Sequence, residues 1–430
     1  MKQLISTLLL LLLTSIFTYA QTGTWSGKLD VQGTKLSLVF HLDGENPSMD
    51  SPDQGAKGIP IQVSRPASNS IKVTIPSLGA TYEGVWMIRQ IVGTFTQMNV
   101  SLPLTLTPGE NKPARPQTPK PPYPYQTEEV SFTNGDIVLN GTLTLPAGCS
   151  LETPVLVMVT GSGIQNRDEE LFEHKPFAVI ADALARAGYA TLRYDDRGFD
   201  STGGNPLAWT TEDFKSDAEA AVNLLRSRFD KVGVLGHSEG GTIALMLAAE
   251  GKADFIVCLA GMVVSGAETL ISQNRISFLQ AGVSEEVTEE YCRLLEKAFD
   301  VQVNGGMMPD PDDYNLPKEL TQNYLAVLNQ VRTPYFSRLL TLDVRPLLAD
   351  ITCPVLALNG TKDIQVDHES NLDALRNGLK ASDANHIEAI EGANHLLQSC
   401  TTGAVTEYRT IEETISPKVL ETVISWLSAL

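Results

Sequence analysis

The pattern of apolar and polar residues divides the chain into two regions with different periodicities. From Gly23 to about Pro108, short segments alternate apolar and polar side chains, as in 35–42, 70–75 and 100–106, with Gly, Asn, Asp and Pro between them. A period of two with frequent turn residues is typical of strands that bury one face. Residues 21–110 are therefore predicted to form a small all-β domain, in which no catalytic set is recognisable.

A proline-rich segment follows this region. Residues 111–126 contain six prolines, at positions 113, 116, 119, 121, 122 and 124. Such a composition favours an extended, polyproline-like spacer. The segment is interpreted as a linker between two domains.

Beyond the linker, candidate strands and helices alternate. Residues 155–159 are a continuous apolar run, which is typical of a strand buried on both faces. Further strands are predicted at 130–132, 137–145, 189–194, 232–235, 255–260, 355–358 and 387–390, and helices at 176–187, 211–228, 241–250, 370–379 and 417–430. This alternation predicts that residues 127–430 form an α/β domain with a doubly wound, mostly parallel sheet.

One stretch interrupts the alternation. Roughly ninety residues separate the strand at 255–260 from the strand at 355–358, too many for a single crossover. Segments 287–297 and 320–331 within it have helical patterns. We therefore expect a helical cap over about 264–345, near the edge of the sheet where ligands bind in such folds.

The first twenty residues have the pattern of a secretory signal peptide. Lys2 precedes a largely apolar run over 4–17, and Ala20 is a small residue at the expected cleavage point. The apolar run is shorter than the ~20 residues that a membrane-spanning helix needs, which disfavours a retained anchor. The expectation is an exported protein, periplasmic or secreted, with no membrane span.

Charge and cysteine content narrow the possible partners and the structural class of the protein further. The chain has 51 acidic and 32 basic residues, a net charge of −19, which disfavours nucleic acid or an anionic membrane as the main partner. Its five cysteines are scattered and odd in number, unlike a disulfide framework. No CxxC or HxxxH pair is present, so no structural metal site is predicted.

The strongest local signal is the pentapeptide Gly236-His237-Ser238-Glu239-Gly240, between the predicted strand 232–235 and the predicted helix 241–250. It matches the G-x-S-x-G nucleophile elbow in the strand–turn–helix context that the motif requires. The turn is tight enough that the residues two before and two after the serine must lack side chains. Ser238 is therefore predicted to be a nucleophile.

A serine nucleophile needs a base, and the chain has only six histidines. His395 follows the last predicted strand in a loop of small residues that can carry its ring over the sheet edge, whereas His237 is expected to point elsewhere. Asp363, beyond the strand 355–358, is the predicted acid, with Asp367 as the competing candidate. The order serine, aspartate, histidine is the α/β-hydrolase order.

An oxyanion hole requires two backbone N–H groups. The amides of Glu239 and Ser162 are the predicted donors, Ser162 lying in the loop after the strand 155–159. An ordinary glycine-rich turn is the alternative for that loop. Arg167, Asp168 and Arg197 either contact substrate or form ion pairs that support the loops.

Several motifs together resemble a known family. They are the segments 161–169, 175–177 and 193–198, the elbow 236–241, and the loops carrying Asp363 and His395. From about Tyr125 onward the chain is similar to EstD-like bacterial carboxylesterases of the α/β-hydrolase fold, often described as prolyl-oligopeptidase-like, and the β-rich region resembles the accessory domain that precedes them. The resemblance implies hydrolysis of esters with small acyl groups and no cofactor.

The expected function is thus a serine esterase acting on a small-molecule ester. A peptidase using the same site is one alternative, although the β-rich region is too short for a seven-bladed propeller. An envelope- or glycan-binding protein with an auxiliary hydrolase is another. The acyl group, the alcohol and the oligomeric state are not readable from the sequence.

Overall fold

The structure, a computed structural model, describes residues 23–31, 33–87, 90–110, 114–200 and 204–430. The chain divides into two compact units, Met1–Pro113 and Ala114–Leu430. The predicted signal peptide lies outside the described residues. Within the described part, no helix is long and apolar enough to cross a membrane.

In the described residues of the first unit, strands are the main element, with two short 3-10 turns. Its described residues form nine strands: β1 Thr24–Val31, β2 Thr34–His41, β3 Ser48–Ser51, β4 Ala56–Pro60, β5 Gln62–Ser64, β6 Ser70–Ile75, β7 Ala80–Trp86, β8 Ile91–Gln97 and β9 Val100–Pro108. They pair antiparallel in the order β4-β3-β2-β1-β9-β8-β7-β6-β5. In β6 the burial alternates residue by residue, as the sequence pattern predicts, and the buried face joins a core around Phe40 and Tyr82.

The described residues of the second unit contain one large sheet. Its described residues form eight strands: β10 Gln126–Asn134, β11 Ile137–Leu145, β12 Val155–Val159, β13 Ala190–Tyr194, β14 Val232–His237, β15 Ile256–Leu259, β16 Val355–Gly360 and β17 His386–Ile390. Their order is β10-β11-β13-β12-β14-β15-β16-β17. The hairpin β10–β11 pairs antiparallel, as does β11 with β13, and every pairing from β13 to β17 is parallel.

Ten α-helices are found in the described residues of this unit. They are α1 Pro176–Arg186, α2 Thr211–Arg226, α3 Glu239–Ala249, α4 Gly266–Gln280, α5 Glu285–Asn304, α6 Lys318–Val331, α7 Pro334–Leu340, α8 His368–Gly378, α9 Val405–Tyr408 and α10 Pro417–Leu427. One apolar core joins the sheet to α2, α3 and α8, and another joins it to α1 and α10. Most predicted elements are confirmed within two or three residues, and α2 begins with a capping box of Thr210 and Asp213.

Helices α4–α7 make up the long insertion between β15 and β16. They have an apolar core of their own, which includes Tyr291, Leu294, Phe299, Tyr324 and Leu328. An insertion with its own core can keep a defined shape above the sheet. The helical patterns seen at 287–297 and 320–331 are parts of α5 and α6.

The described part of the proline-rich segment, 114–126, belongs to the second unit. The Arg115 guanidinium donates to the carbonyl oxygens of Ile411, Phe172 and Arg409 at 2.7 to 2.9 Å. Gln117 donates to the Ile415 carbonyl at 2.7 Å. These residues are therefore bound to the rest of the second unit rather than forming a free spacer, a contact that composition alone does not reveal.

We expect Arg115→Ala to lower the free energy of unfolding of the second unit by roughly 2–3 kcal/mol, because three carbonyl oxygens lose a charged donor. Thermal and urea unfolding would measure the loss. Lys120→Ala, an exposed residue of the same segment, is the matched control and should leave stability unchanged. Equal stability of the two variants would show that the Arg115 contacts contribute nothing.

Candidate active site

Ser238 sits in a strained turn between β14 and α3. Its backbone has φ +53° and ψ −121°, and it is the N-cap residue of α3. A Cβ added to Gly236 would lie 1.9 Å from the Gly240 carbonyl oxygen, and one added to Gly240 would lie 2.0 Å from that of Val159. Both positions therefore exclude any side chain, as the sequence motif predicts. The helix begins at Glu239, two residues earlier than predicted, directly behind the serine.

His395 lies in the loop after β17, and its ring is held by a carboxylate. Nδ1 of His395 is 2.7 Å from Oδ2 of Asp363, and both side chains are almost fully buried. The other oxygen of Asp363 accepts from the amides of Gln365 and Val366, at 2.8 and 2.9 Å. With its carboxylate fixed in this way, Asp363 holds Nδ1 as the protonated nitrogen and leaves Nε2 free.

Asp367, the competing candidate for the acid, has a different contact. Its carboxylate accepts from the Ser370 amide at 2.9 Å and from the Ser370 hydroxyl at 2.6 Å. It is the N-cap of α8, a role that aspartate commonly fills. The structure thus brings Asp363, and not Asp367, to His395.

The predicted oxyanion loop follows β12, beside the elbow. The Gly161 amide donates to Oε1 of Glu169 at 2.8 Å and is therefore occupied. The next amide is that of Ser162, which lines the same cavity as Ser238 and Glu239. Because Glu239 is the first residue of α3, its amide has no acceptor within the helix. These two amides remain the candidates for binding a developing negative charge.

The insertion reaches the elbow through Tyr335 of α7. The Tyr335 hydroxyl donates to the Glu239 carboxylate, whose other oxygen accepts from the Thr211 hydroxyl at 2.6 Å. Burial, together with the Glu239 charge, raises the pKa of Tyr335, so the phenol stays protonated as a donor. The Glu239 side chain is thereby engaged on both oxygens.

A cavity of about 810 Å³ opens above Ser238 and His395. The insertion lines its far side with uncharged side chains, both polar and apolar, including Gln273, Asn274, Ser277, Leu270, Phe278 and Val327. None of the described residues that line it is Lys or Arg. The volume lies in the upper part of the range for small-molecule sites.

His237, which was expected to point elsewhere, directs both of its ring nitrogens to partners other than Ser238. Its Nδ1 is 2.9 Å from Oε1 of Glu169, and its Nε2 is 2.9 Å from the carbonyl oxygen of His395. The two imidazole rings lie 4.9 Å apart. Neither spacing nor composition points to this contact, since Glu169 is 68 positions earlier in the chain.

The charged residues near the loops are largely paired with one another. Arg167 binds Asp195 and Glu129, Asp168 binds Arg193 and Lys175, and Arg197 binds Asp213 and Asp217. These ion pairs join the loops to the sheet and to α2, as expected if the charged residues support the loops.

Neither metals nor disulfides shape the site in the described residues. No group of three or more His, Cys, Asp or Glu residues there could hold a metal ion. All five cysteines are free, and burial raises the pKa of Cys258 to about 12, which keeps this thiol protonated and inert.

Comparison with models of known protein families identifies the family of this chain. The model of the serine aminopeptidase S33 family, Hydrolase_4, matches residues 173–399, more than half of the chain. The chain belongs to this family. The S33 match covers Ser238, Asp363 and His395, whereas Ser162 and Glu169 precede it.

A curated relative aligns with more of the chain than the family model does. Esterase EstD of Thermotoga maritima is 30% identical over 283 residues, which is 64% of this chain and 63% of EstD. The alignment thus spans less than two thirds of that esterase. The resemblance to EstD-like hydrolases that the motifs indicated is confirmed within the S33 family.

Solved structures similar to this S33 member include esterases and a peptidase. Est1E from Butyrivibrio proteoclasticus has 18% identity and a TM-score of 0.40, covering 70% of this chain and 99% of its own. A Pyrococcus furiosus esterase has 16% identity and a TM-score of 0.45, covering 75% and 98%. A proline iminopeptidase of Mycobacterium smegmatis has 15% identity and a TM-score of 0.43, covering 70% and 98%.

Proposed function

We propose that this protein is a serine hydrolase that cleaves carboxylic esters, with Ser238 as nucleophile, His395 as base and Asp363 as the acid that orients it. One observation carries the proposal: Ser238, strained at the elbow, shares a cavity with His395, and His395 is hydrogen-bonded to Asp363. A serine hydroxyl, an imidazole and a buried carboxylate in this chain order are the parts of an acyl-transfer site.

The proposed reaction has two stages, acylation of Ser238 and hydrolysis of the acyl-enzyme. Oγ of Ser238 attacks the ester carbonyl while Nε2 of His395 takes its proton, and Asp363 stabilises the imidazolium that forms. The amides of Glu239 and Ser162 bind the oxyanion. His395 then returns the proton to the leaving alcohol, and water hydrolyses the acyl-enzyme by the same steps in reverse.

The charges around the cavity favour an ester over a peptide with a free amino terminus. Three carboxylates line it: Glu169 is paired with His237 and Glu170 with Lys175, while Glu239 keeps its charge but accepts from the Thr211 and Tyr335 hydroxyls on its two oxygens. A carboxylate that already binds a cation attracts a substrate ammonium group less than an unpaired one does. The cavity instead suits a neutral ester, with a small acyl group at Ser238 and an uncharged alcohol portion against the insertion.

We also propose that the protein is exported. It is supported by the basic residue and apolar run at the start of the sequence.

Ser238→Ala should abolish hydrolysis of short-chain nitrophenyl esters by the purified enzyme, because no other group supplies the nucleophile. Ser425→Ala, an exposed serine on α10, is the matched control and should keep full activity. Unchanged ester turnover by the Ser238 variant would contradict the proposal. Faster release from aminoacyl-prolyl anilides than from esters would favour the peptidase alternative.

Asp363→Asn should reduce kcat by about 10³- to 10⁴-fold, since the amide no longer holds His395 in the required tautomer. Asp367→Asn should leave kcat unchanged, because asparagine also caps a helix well. Steady-state kinetics on one ester would compare the two variants. The reverse ranking would assign the acid to Asp367.

A further inference from the structure

Behind the proposed catalytic residues lies a second histidine–carboxylate pair to which the mechanism gives no role. His237 and Glu169 are 7% and 4% exposed. Glu169 accepts from both the Gly161 amide and His237, and His237 in turn contacts the carbonyl oxygen of His395. The chain of contacts therefore joins the loop after β12, the end of β14 and the loop after β17.

The partners of His237 determine its protonation. A backbone carbonyl oxygen can only accept a hydrogen bond, and so can an ionised carboxylate. Nδ1 of His237 lies 2.9 Å from the Glu169 carboxylate, and Nε2 lies 2.9 Å from the carbonyl oxygen of His395. Both nitrogens must then carry protons, which makes His237 an imidazolium paired with the Glu169 carboxylate.

We propose that the His237–Glu169 ion pair is a positioning unit, which holds the oxyanion loop through the Gly161 amide and the His395 loop through its carbonyl oxygen. This inference rests on the proposed function of Ser238 and His395. It assigns neither residue a direct contact with the reacting atoms.

Two further observations support a functional role. Glu169 has φ +52°, a left-handed conformation that costs a non-glycine residue about 1–3 kcal/mol. Its Oε2 is buried without a hydrogen-bond partner among the described residues. A strained backbone conformation persists only where the surrounding structure holds it. A buried carboxylate also needs a partner of opposite charge, which for Glu169 is His237.

The groups facing His237 set the pH range of the charged pair. Burial opposes the charge, but Glu169, the His395 carbonyl and Asp363 outweigh it and raise the pKa of His237 to about 9. The other residues around the small void beside His237 are apolar apart from Glu169, including Phe177, Leu259 and Leu396. The imidazolium is therefore present at neutral pH and is lost as the pH rises through about 9.

The test is kinetic. In the wild type, kcat should fall as the pH rises through about 9. Glu169→Gln keeps an acceptor for Gly161 but removes the carboxylate, so His237 becomes neutral at lower pH. We expect this variant to lose kcat on the order of 10- to 100-fold at neutral pH, with KM within about twofold, since a displaced loop misaligns the reacting groups.

Two variants complete the design. Glu169→Asp retains the carboxylate charge. In this variant the fall of kcat at alkaline pH, the alkaline limb of the pH profile, should return toward pH 9, which a merely structural role would not do. Glu152→Gln, an exposed glutamate in the turn before β12, is the matched control and should behave as the wild type. Wild-type kcat and an unmoved alkaline limb in Glu169→Gln would overturn the proposal.

A spectroscopic measurement does not depend on the variants being active. In wild-type protein with ¹⁵N-labelled histidine, both ring nitrogens of His237 should be protonated at pH 7, with His237→Gln used to assign the signals. A neutral His237 at pH 7 would overturn the proposal. Full activity of Ser238→Ala would instead refute the proposed function, so the two failures are distinguishable.

Discussion

The backbone conformation of Ser238 is the constraint on which the site depends. At φ +53° and ψ −121° the serine occupies a region that costs a non-glycine residue about 1–3 kcal/mol. The conformation persists because Gly236 and Gly240 let neighbouring carbonyls approach to distances that no side chain would permit. In return, Ser238 stands at the start of α3, where unpaired amides and the helix dipole favour negative charge.

The parallel sheet brings the remaining groups to this one point. Ser162, Ser238, Asp363 and His395 all follow strands of the parallel part, β12, β14, β16 and β17, so they meet at the carboxyl edge of the sheet. Buried hydrogen bonds then fix each loop. Asp363 accepts from two amides of its own loop, Glu169 from Gly161, and Glu239 from α2 and from the insertion. The site is thus preorganised by contacts that do not involve substrate.

Much of this arrangement could be predicted from sequence, because it depends on local rules. The apolar run 155–159 is a buried strand, the glycines around Ser238 have a steric cause, and a small-residue loop after the last strand delivers His395. What could not be predicted depends on distant contacts. Glu169 meets His237 across 68 positions, and Arg115 meets Ile411 across 296. The shape of the cavity likewise depends on how α4–α7 pack, since their sequences show helices but not the side chains that line the cavity.

The most direct test of the account is to find which residue a serine-directed fluorophosphonate modifies. The reagent reacts only with a hydroxyl activated as a nucleophile, and peptide mass spectrometry locates the phosphonyl group. The account predicts one phosphonyl group per chain, on Ser238, with the ester hydrolase activity lost in proportion. Modification of another residue, or an unmodified Ser238 in enzyme that the reagent has inactivated, would contradict it.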